Sequence, residues 1–484
     1  MTYAVIPVIL AVLGVALGRR LLTLLMILAY LAMEGFLKLL SNYNPVVHVG
    51  LDIIVLAVTL WLAAEAMVRR SALPALPWTR LLALYALWIV LQLLNPNSPG
   101  LVPSLASFKT HLTMVPLYFF AAHLFTGTGD IRRFLVGVVT IGLVPFTFAL
   151  VQYALGPASV LDLSPRFWQN ISYFHEWRPF GTSALPGGAS VFAYLCAPAA
   201  LVLLSAPSSR SVRVLALVSI MMAAGVFIVS GVRQTFLGCV LALATMAAVM
   251  LSRRRGAGAA ALGASVVVGL AAWVAVQTWL RPMATENIAR EARAPEIWRE
   301  RDVTQRLLTL TERRTYLTAR VGALTNIVRR AEHYPFGAGL GRTGSAAGTF
   351  AATYASDPRS AQIQSEVGWS DNFFADMIAE TGLPGVVMLS TILLGMLVGA
   401  FRLARHADDT LIGATSAALT GFYVSVLAMS WGSQPLLANP ITAYFWTFSG
   451  MLAAMRRMEQ EGTAPEGDES EAWDPGAVPA RASL

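Results

Sequence analysis

Apolar runs close to bilayer-crossing length recur along almost the whole chain, from residue 3 to residue 455. A helix needs about 20 mostly apolar residues to cross the roughly 30 Å hydrocarbon layer. By that measure the runs predict spans over 3–18, 21–40, 51–68, 81–95, 112–125, 134–155, 187–207, 214–231, 235–251, 259–280, 376–400, 410–431 and 439–455. The expected fold is all-α, a polytopic membrane protein of about 12–13 transmembrane helices, because helices satisfy every backbone polar group within lipid. Arg19 and Arg20 follow the first run instead of preceding it. That is the wrong polarity for a cleaved signal peptide, so this run is expected to stay as the first span.

One connection breaks the rhythm. Residues 281–375 form a segment much longer than a helix-to-helix turn requires, and long connections of this kind are usually functional. Leu317, Val321, Leu324 and Val328 recur there at helical spacing, accompanied by Arg313, Arg314, Arg320, Arg329 and Arg330. The pattern predicts an amphipathic helical subdomain on or near the membrane face. The expected organisation is therefore 1–280 as the N-terminal transmembrane helices, 281–375 as a large loop subdomain and 376–457 as the C-terminal helices. Residues 458–484, acidic and rich in Pro, Gly and Ala, are expected to be a disordered tail.

Composition narrows the class further. The chain is 56% hydrophobic and 13% charged, against about 25% charged residues in soluble domains. Its net charge of +8 sits mostly in short connections, and no nucleic-acid motif accompanies it. The two cysteines, Cys196 and Cys239, fall inside predicted spans and show neither a disulfide framework nor zinc spacing. No metal or cofactor is expected.

The arginines set an orientation. Arg19–Arg20, Arg69, Arg70 and Arg80, Arg132–Arg133, Arg210 and Arg213, Arg253–Arg255, Arg402 and Arg405, and Arg456–Arg457 occupy every second connection. Positive-inside bias puts these connections in the cytoplasm, the N-terminus outside and the C-terminus inside. The remaining connections (41–50, 96–111, 156–186, 230–234, 281–375 and 432–438) then face outward. Within the spans, Glu34 and Lys38, and Glu65 and Arg69, are spaced to pair across one helical turn. Asp52 lies near a span's end.

The polar motifs collect in the outward connections. His175-Glu176-Trp177-Arg178-Pro179-Phe180-Gly181 runs on to Pro186-Gly187-Gly188 and could cradle an anion at the start of a span. Ser230-Gly231-Val232-Arg233 carries an arginine against the positive-inside trend, and a fixed guanidinium there could bind phosphate through two hydrogen bonds. Arg320 precedes Pro335-Phe336-Gly337, with Gly339 and Gly341 following at alternate positions. Glu366, Asp371 and Asn372 come next, ahead of Glu380-Thr381-Gly382-Leu383-Pro384-Gly385.

In this order, over roughly residues 130–455, the motifs resemble the O-antigen ligase and polymerase superfamily, integral-membrane glycosyltransferases of the C-type fold. The likeness rests on Arg178-Pro-Phe-Gly with Pro186-Gly187, Ser230-Gly-Val-Arg233, Arg320 with the Gly337–Gly341 run, Asp371-Asn372 and Glu380-x-Gly382-Leu-x-Gly385. It implies transfer of a glycan from undecaprenyl pyrophosphate to an acceptor hydroxyl, on another lipid-linked repeat unit or on lipid A-core. The site would face the outside of a bacterial inner membrane. Expected partners are the lipid-linked donor and acceptor, membrane lipid, and a chain-length regulator or other assembly protein. Ligases of this family show His-Asn where this chain has Asp371-Asn372, which favours the polymerase branch.

The chemistry needs no metal. Arg178, Arg233 and Arg320 would stabilise the departing pyrophosphate. Asp371 is the candidate base, with Glu366 and His175 in reserve and Asn372, Gly339 and Gly341 as neighbours of the substrate. The alternatives are an O-antigen-type ligase and, from a different class, a transporter or flippase. Transporters usually carry inverted repeats and broken midplane helices, and neither pattern is visible in the sequence.

Overall fold

The computed structural model describes residues 14, 18–69, 76–167, 177–252, 274–280, 282–283, 325–344, 358–367 and 372–462. Within them the main helices are α1 (Arg20–Leu40), α2 (Pro45–Arg69), α3 (Thr79–Gln92), α4 (Leu101–Leu112), α5 (Pro116–Leu124), α6 (Thr128–Leu155), α7 (Ala189–Ser205), α8 (Arg210–Ser230), α9 (Arg233–Ser252), α10 (Pro358–Val367), α11 (Phe373–His406), α12 (Thr410–Met429) and α13 (Ile441–Glu461). Six of them, α1, α6, α8, α9, α11 and α12, are long and apolar enough to cross a membrane, and α3 and α7 are shorter apolar helices. No strand occurs among the described residues. The chain is an all-helical, polytopic membrane protein.

Most predicted spans return with shifted ends, but one is different. Residues 112–125 are not one helix. The chain breaks near Pro116, whose ring cannot continue a helix from within, and α4 lies in the stretch 96–111 that hydropathy assigns to a connection. Ser104, Ser107, Lys109 and His111 dilute its apolar character. Most of the first span and of 259–280 lie outside the described residues, as do Arg253–Arg255, residues 463–484, and Leu317, Val321, Leu324, Arg313, Arg314 and Arg320, while residues 458–461, expected to open a disordered tail, are the last turn of α13. Val328 falls in the helical stretch 325–333 and is exposed.

Helix α12 is enclosed on almost all sides, whereas the other long spans expose a broad apolar face. Small residues permit the closest approaches. A Cβ on Gly421 of α12 would stand 2.1 Å from the Ala242 carbonyl oxygen of α9, and one on Gly450 of α13 would stand 2.2 Å from that of Tyr118 in α5. Glycine at such contacts lets helix backbones touch, which in lipid replaces the hydrophobic drive for association.

Charges within the helices are paired. Lys38 meets Glu34 at 2.8 Å as its spacing predicts, and Asp52 meets Lys109 of α4 at 2.6 Å. Glu65 accepts a bond at 2.5 Å from Arg20 of the neighbouring helix α1, and Arg20 also lies over the Trp61 ring. One end of the bundle collects arginines: Arg457 donates to the Ala122 and Phe125 carbonyls at 3.2 Å, and Arg456 approaches Gly399. The opposite end holds the polar motifs.

Candidate functional site

Two loops at that opposite end are built into helices that open to receive them. In α1 the Ala32 carbonyl accepts the Thr182 hydroxyl, and the Phe36 amide, which would otherwise bond to Ala32, donates to the Thr182 carbonyl at 2.8 Å. Gly35 makes room, since a Cβ there would lie 2.2 Å from the Ala184 amide nitrogen. Gln152 of α6 grips the same loop at both faces of Gly181, accepting from its amide at 2.8 Å and donating to its carbonyl at 2.9 Å. Irregular backbone is tolerated at membrane depth only where protein satisfies its polar groups, and here the opened helix does so.

The second loop enters α11. Gly382 has φ 67° and ψ −171°, which breaks the helix. The freed Ala379 carbonyl accepts from the Ala338 amide at 2.6 Å, and the Leu383 amide donates to the Pro335 carbonyl at 2.8 Å. A Cβ on Gly382 would lie 2.4 Å from the Pro335 carbonyl oxygen, and one on Gly337 would lie 2.6 Å from that of Glu380. Gly337, Gly339 and Gly341 have φ of 88–89°, a region open to glycine and strained for other residues. Gly339 abuts Ser98 and Gly341 abuts Pro103. Trp88, Gln92 and Asn95 close the joint by donating to the carbonyls of Thr381, Phe336 and Gly337.

A polar face of α11 secures this arrangement. Asn372, Asp376 and Glu380 stand at successive helical turns, and all are buried. Asn372 caps the helix, accepting from the Ala375 amide at 3.0 Å and donating to the Trp431 carbonyl at 3.2 Å. Asp376 accepts from Arg330 at 3.2 Å and from Gln434. Glu380 accepts from four donors: the amides of Gly341 (3.0 Å) and Thr343 (3.1 Å), the Ser107 hydroxyl (2.5 Å) and His111 Nε2 (3.0 Å). The other ring nitrogen of His111, Nδ1, lies 3.1 Å from the Tyr85 hydroxyl. Arg342 is buried too, bonding the Asn97 carbonyl at 3.0 Å and the Ser360 carbonyl and hydroxyl at 3.1 and 3.0 Å. Burial pulls the Arg330 guanidinium below its ordinary value, partly opposed by Asp376.

Gly187 joins the Arg178 loop to the Ser230–Arg233 turn. A Cβ at this residue (φ 78°) would lie 2.6 Å from Val232 Cγ2, 3.2 Å from the Ser230 carbonyl oxygen and 3.5 Å from Arg178 Cδ. The turn is fixed from the other side by Gln234, which donates to the Met429 carbonyl at 2.8 Å and the Ser433 hydroxyl at 2.6 Å. Arg233, half-buried, makes no hydrogen bond or ion pair among the described residues. The Ser230 hydroxyl is fully buried and likewise without a partner among them.

The sequence-predicted residues are thus placed as follows. Gly187 sets Arg178 against Ser230 and Val232 of the turn that leads into Arg233. Asn372 is a helix cap, Gly339 and Gly341 are close-approach glycines, and the Gly341 amide is directed at Glu380. Glu366 accepts from the Tyr334 hydroxyl and, at 3.1 Å, from Gln362. Those two bonds, the tyrosine's foremost, hold its carboxyl below the usual carboxylate range, while burial and then Glu366 push Tyr334 up to about 12. A carboxylate held low is a weaker proton acceptor. Asp371, Arg320 and His175 lie outside the described residues. The sequence reading missed Arg330, Arg342, Asp376, Gln434 and His111. The regular spacing of Asn372, Asp376 and Glu380 was the available signal for the polar face.

No curated protein matches the chain. The family model described as O-Antigen ligase matches residues 217–390, from the second turn of α8 through α9 and the glycine loop to the break in α11. That segment carries Arg233, Arg330, Arg342, Asp376 and Glu380 on one framework. Over residues 217–390 the chain is similar to this family, consistent with the O-antigen ligase and polymerase superfamily, whose members are glycosyltransferase-like membrane enzymes.

Proposed function

We propose that the protein polymerises oligosaccharide repeat units carried on undecaprenyl pyrophosphate, as in O-antigen, capsule or exopolysaccharide assembly, at the outer face of a bacterial inner membrane. The observation that carries this reading is Arg233, half-buried and without a partner among the described residues, which follows the turn packed against the Arg178 loop. Diphosphate oxygens match guanidinium forks in pairs, and arginines fixed before reaction stabilise a developing anion without reorganising. The alternation of arginine-rich connections supports an outward site.

In the reaction the acceptor hydroxyl oxygen bonds to the anomeric carbon of the donor glycan. The bond from that carbon to the pyrophosphate oxygen breaks, and undecaprenyl pyrophosphate leaves with the electron pair. Arg178 and Arg233 hold the leaving group, and Arg320 joins them. Asp371 takes the acceptor's proton. It directly precedes Asn372 in the sequence, and Asn372 is pinned at both its cap and the Trp431 carbonyl.

Purified full-length protein incubated with lipid-linked repeat units tests the proposal. Growth of a product ladder is the expected result. Single transfer to a lipid A-core acceptor would make the protein a ligase, and movement of the lipid across a bilayer without covalent product would make it a flippase. Reporters fused near residues 340 and 254 test the orientation, with 340 expected outside and 254 inside.

A further inference from the structure

Arg233 is the first residue of α9 and the second residue after the left-handed Gly231 that ends α8. Nothing among the described residues bonds its side chain, so its direction follows from how the backbone of this turn is held. Gln234, the next residue, holds it. One carboxamide nitrogen serves two acceptors on one element, the Met429 carbonyl at 2.8 Å and the Ser433 hydroxyl at 2.6 Å. That element, residues 429–434, is itself fixed to the polar face of α11. The Phe373 amide donates to the Ser430 carbonyl at 3.0 Å, Asn372 to the Trp431 carbonyl at 3.2 Å, and Gln434 to Asp376. One turn further along α9, Gly238 packs on the Met429 side chain, where a Cβ would meet Sδ at 2.5 Å.

We infer that Gln234 is a positioning residue for Arg233: its two hydrogen bonds lock the first turn of α9 to the 429–434 turn, so that the guanidinium is already aimed when a diphosphate lipid arrives. The inference rests on the proposed function above and adds the means by which the arginine is pre-aimed. Pre-aiming matters because an exposed arginine loses side-chain and backbone freedom on binding, whereas a fixed one has lost it on folding. A carboxamide is suited to the role because it donates twice without adding a charge near the guanidinium.

The test measures binding of undecaprenyl diphosphate to purified full-length protein in detergent, with thermal unfolding of each variant recorded alongside. Arg233→Ala should weaken binding about tenfold or more, the loss of one charge-assisted hydrogen bond. Gln234→Leu should weaken it by roughly threefold to tenfold with unfolding near that of the wild type, and Ser433→Ala, which removes one bond of the two, by less. In the Arg233→Ala background Gln234→Leu should have no further effect, because there is no guanidinium left to position. Wild-type affinity in Gln234→Leu would overturn the inference while leaving the function intact. So would an equal, additive loss in the Arg233→Ala background. Wild-type affinity in Arg233→Ala would instead sink the assignment of this arginine to the pyrophosphate. Should Gln234→Leu fail to fold, Ser433→Ala crossed with Arg233→Ala asks the same question.

Discussion

The glycine loop 335–343 and the turn 230–234 lie at the same end of the bundle and treat their arginines in opposite ways. Arg330, ahead of the loop, and Arg342, within it, are enclosed and bonded to Asp376, Asn97 and Ser360. Arg233, in the turn, is half-buried and bonded to nothing among the described residues. The loop is a finished internal joint, with its carbonyls and amides taken up by α3, α4 and α11. In the turn, neither the Arg233 guanidinium nor the buried Ser230 hydroxyl has a partner among the described residues. A guanidinium already satisfied by the protein cannot bind a ligand without first breaking those bonds. The difference therefore sorts the arginines by role: those of the loop hold the framework, and that of the turn is open to substrate.

The largest expected effect lies at Asp371. Because Asn372 already supplies the α11 cap, Asp371→Asn should leave the helix intact and yet lower polymer formation by about 10²–10⁴-fold, the usual cost of a lost general base. Near-normal polymer from a well-expressed Asp371→Asn protein would remove it from the chemistry. The framework side breaks differently. Asp376→Ala removes the carboxylate that faces the buried Arg330 guanidinium and should destabilise the protein by about 3–5 kcal/mol, visible as a lower unfolding temperature in detergent. Asp376→Asn keeps an acceptor for Arg330 and should lose less. If Asp376→Ala unfolds like the wild type, the joint is not structural and the sorting of arginines is wrong. The smallest effect belongs to the cap: Asn372→Ala should lose about 0.5–2 kcal/mol, and Asn372→Ser should recover much of it.

The sequence made the span pattern and the order of the motifs legible because hydropathy and arginine placement are local signals. It concealed the interior of the site, because satisfaction is not local. Helix α4 looked like a connection because Ser104, Ser107 and His111 interrupt its apolar run, and two of those polar groups are there to receive Glu380, about 270 positions away. Arg330 read as one of the charges accompanying an amphipathic helix of the outward loop and Arg342 drew no notice, since nothing near them in sequence announces Asp376 or Asn97 as a partner. Gly339 and Gly341 were candidate neighbours of the substrate. They are instead positions where backbone meets backbone, and the Gly341 amide is occupied by a carboxylate. Arg178 and Arg233 could be picked out one by one, but only the packing around Gly187 shows that the Arg178 loop lies against the Ser230–Val232 turn.

The account stands most directly on Arg233. Purified Arg233→Ala protein should unfold at the temperature of the wild type, because no protein group is lost with its side chain, and should form product ladder from lipid-linked repeat units at about a tenth of the wild-type rate or less. Arg342→Ala, by contrast, should show a clear drop in unfolding temperature. Wild-type ladder growth from Arg233→Ala, or a loss of activity that merely tracks a loss of folded protein, would contradict the claim that this guanidinium waits for the pyrophosphate.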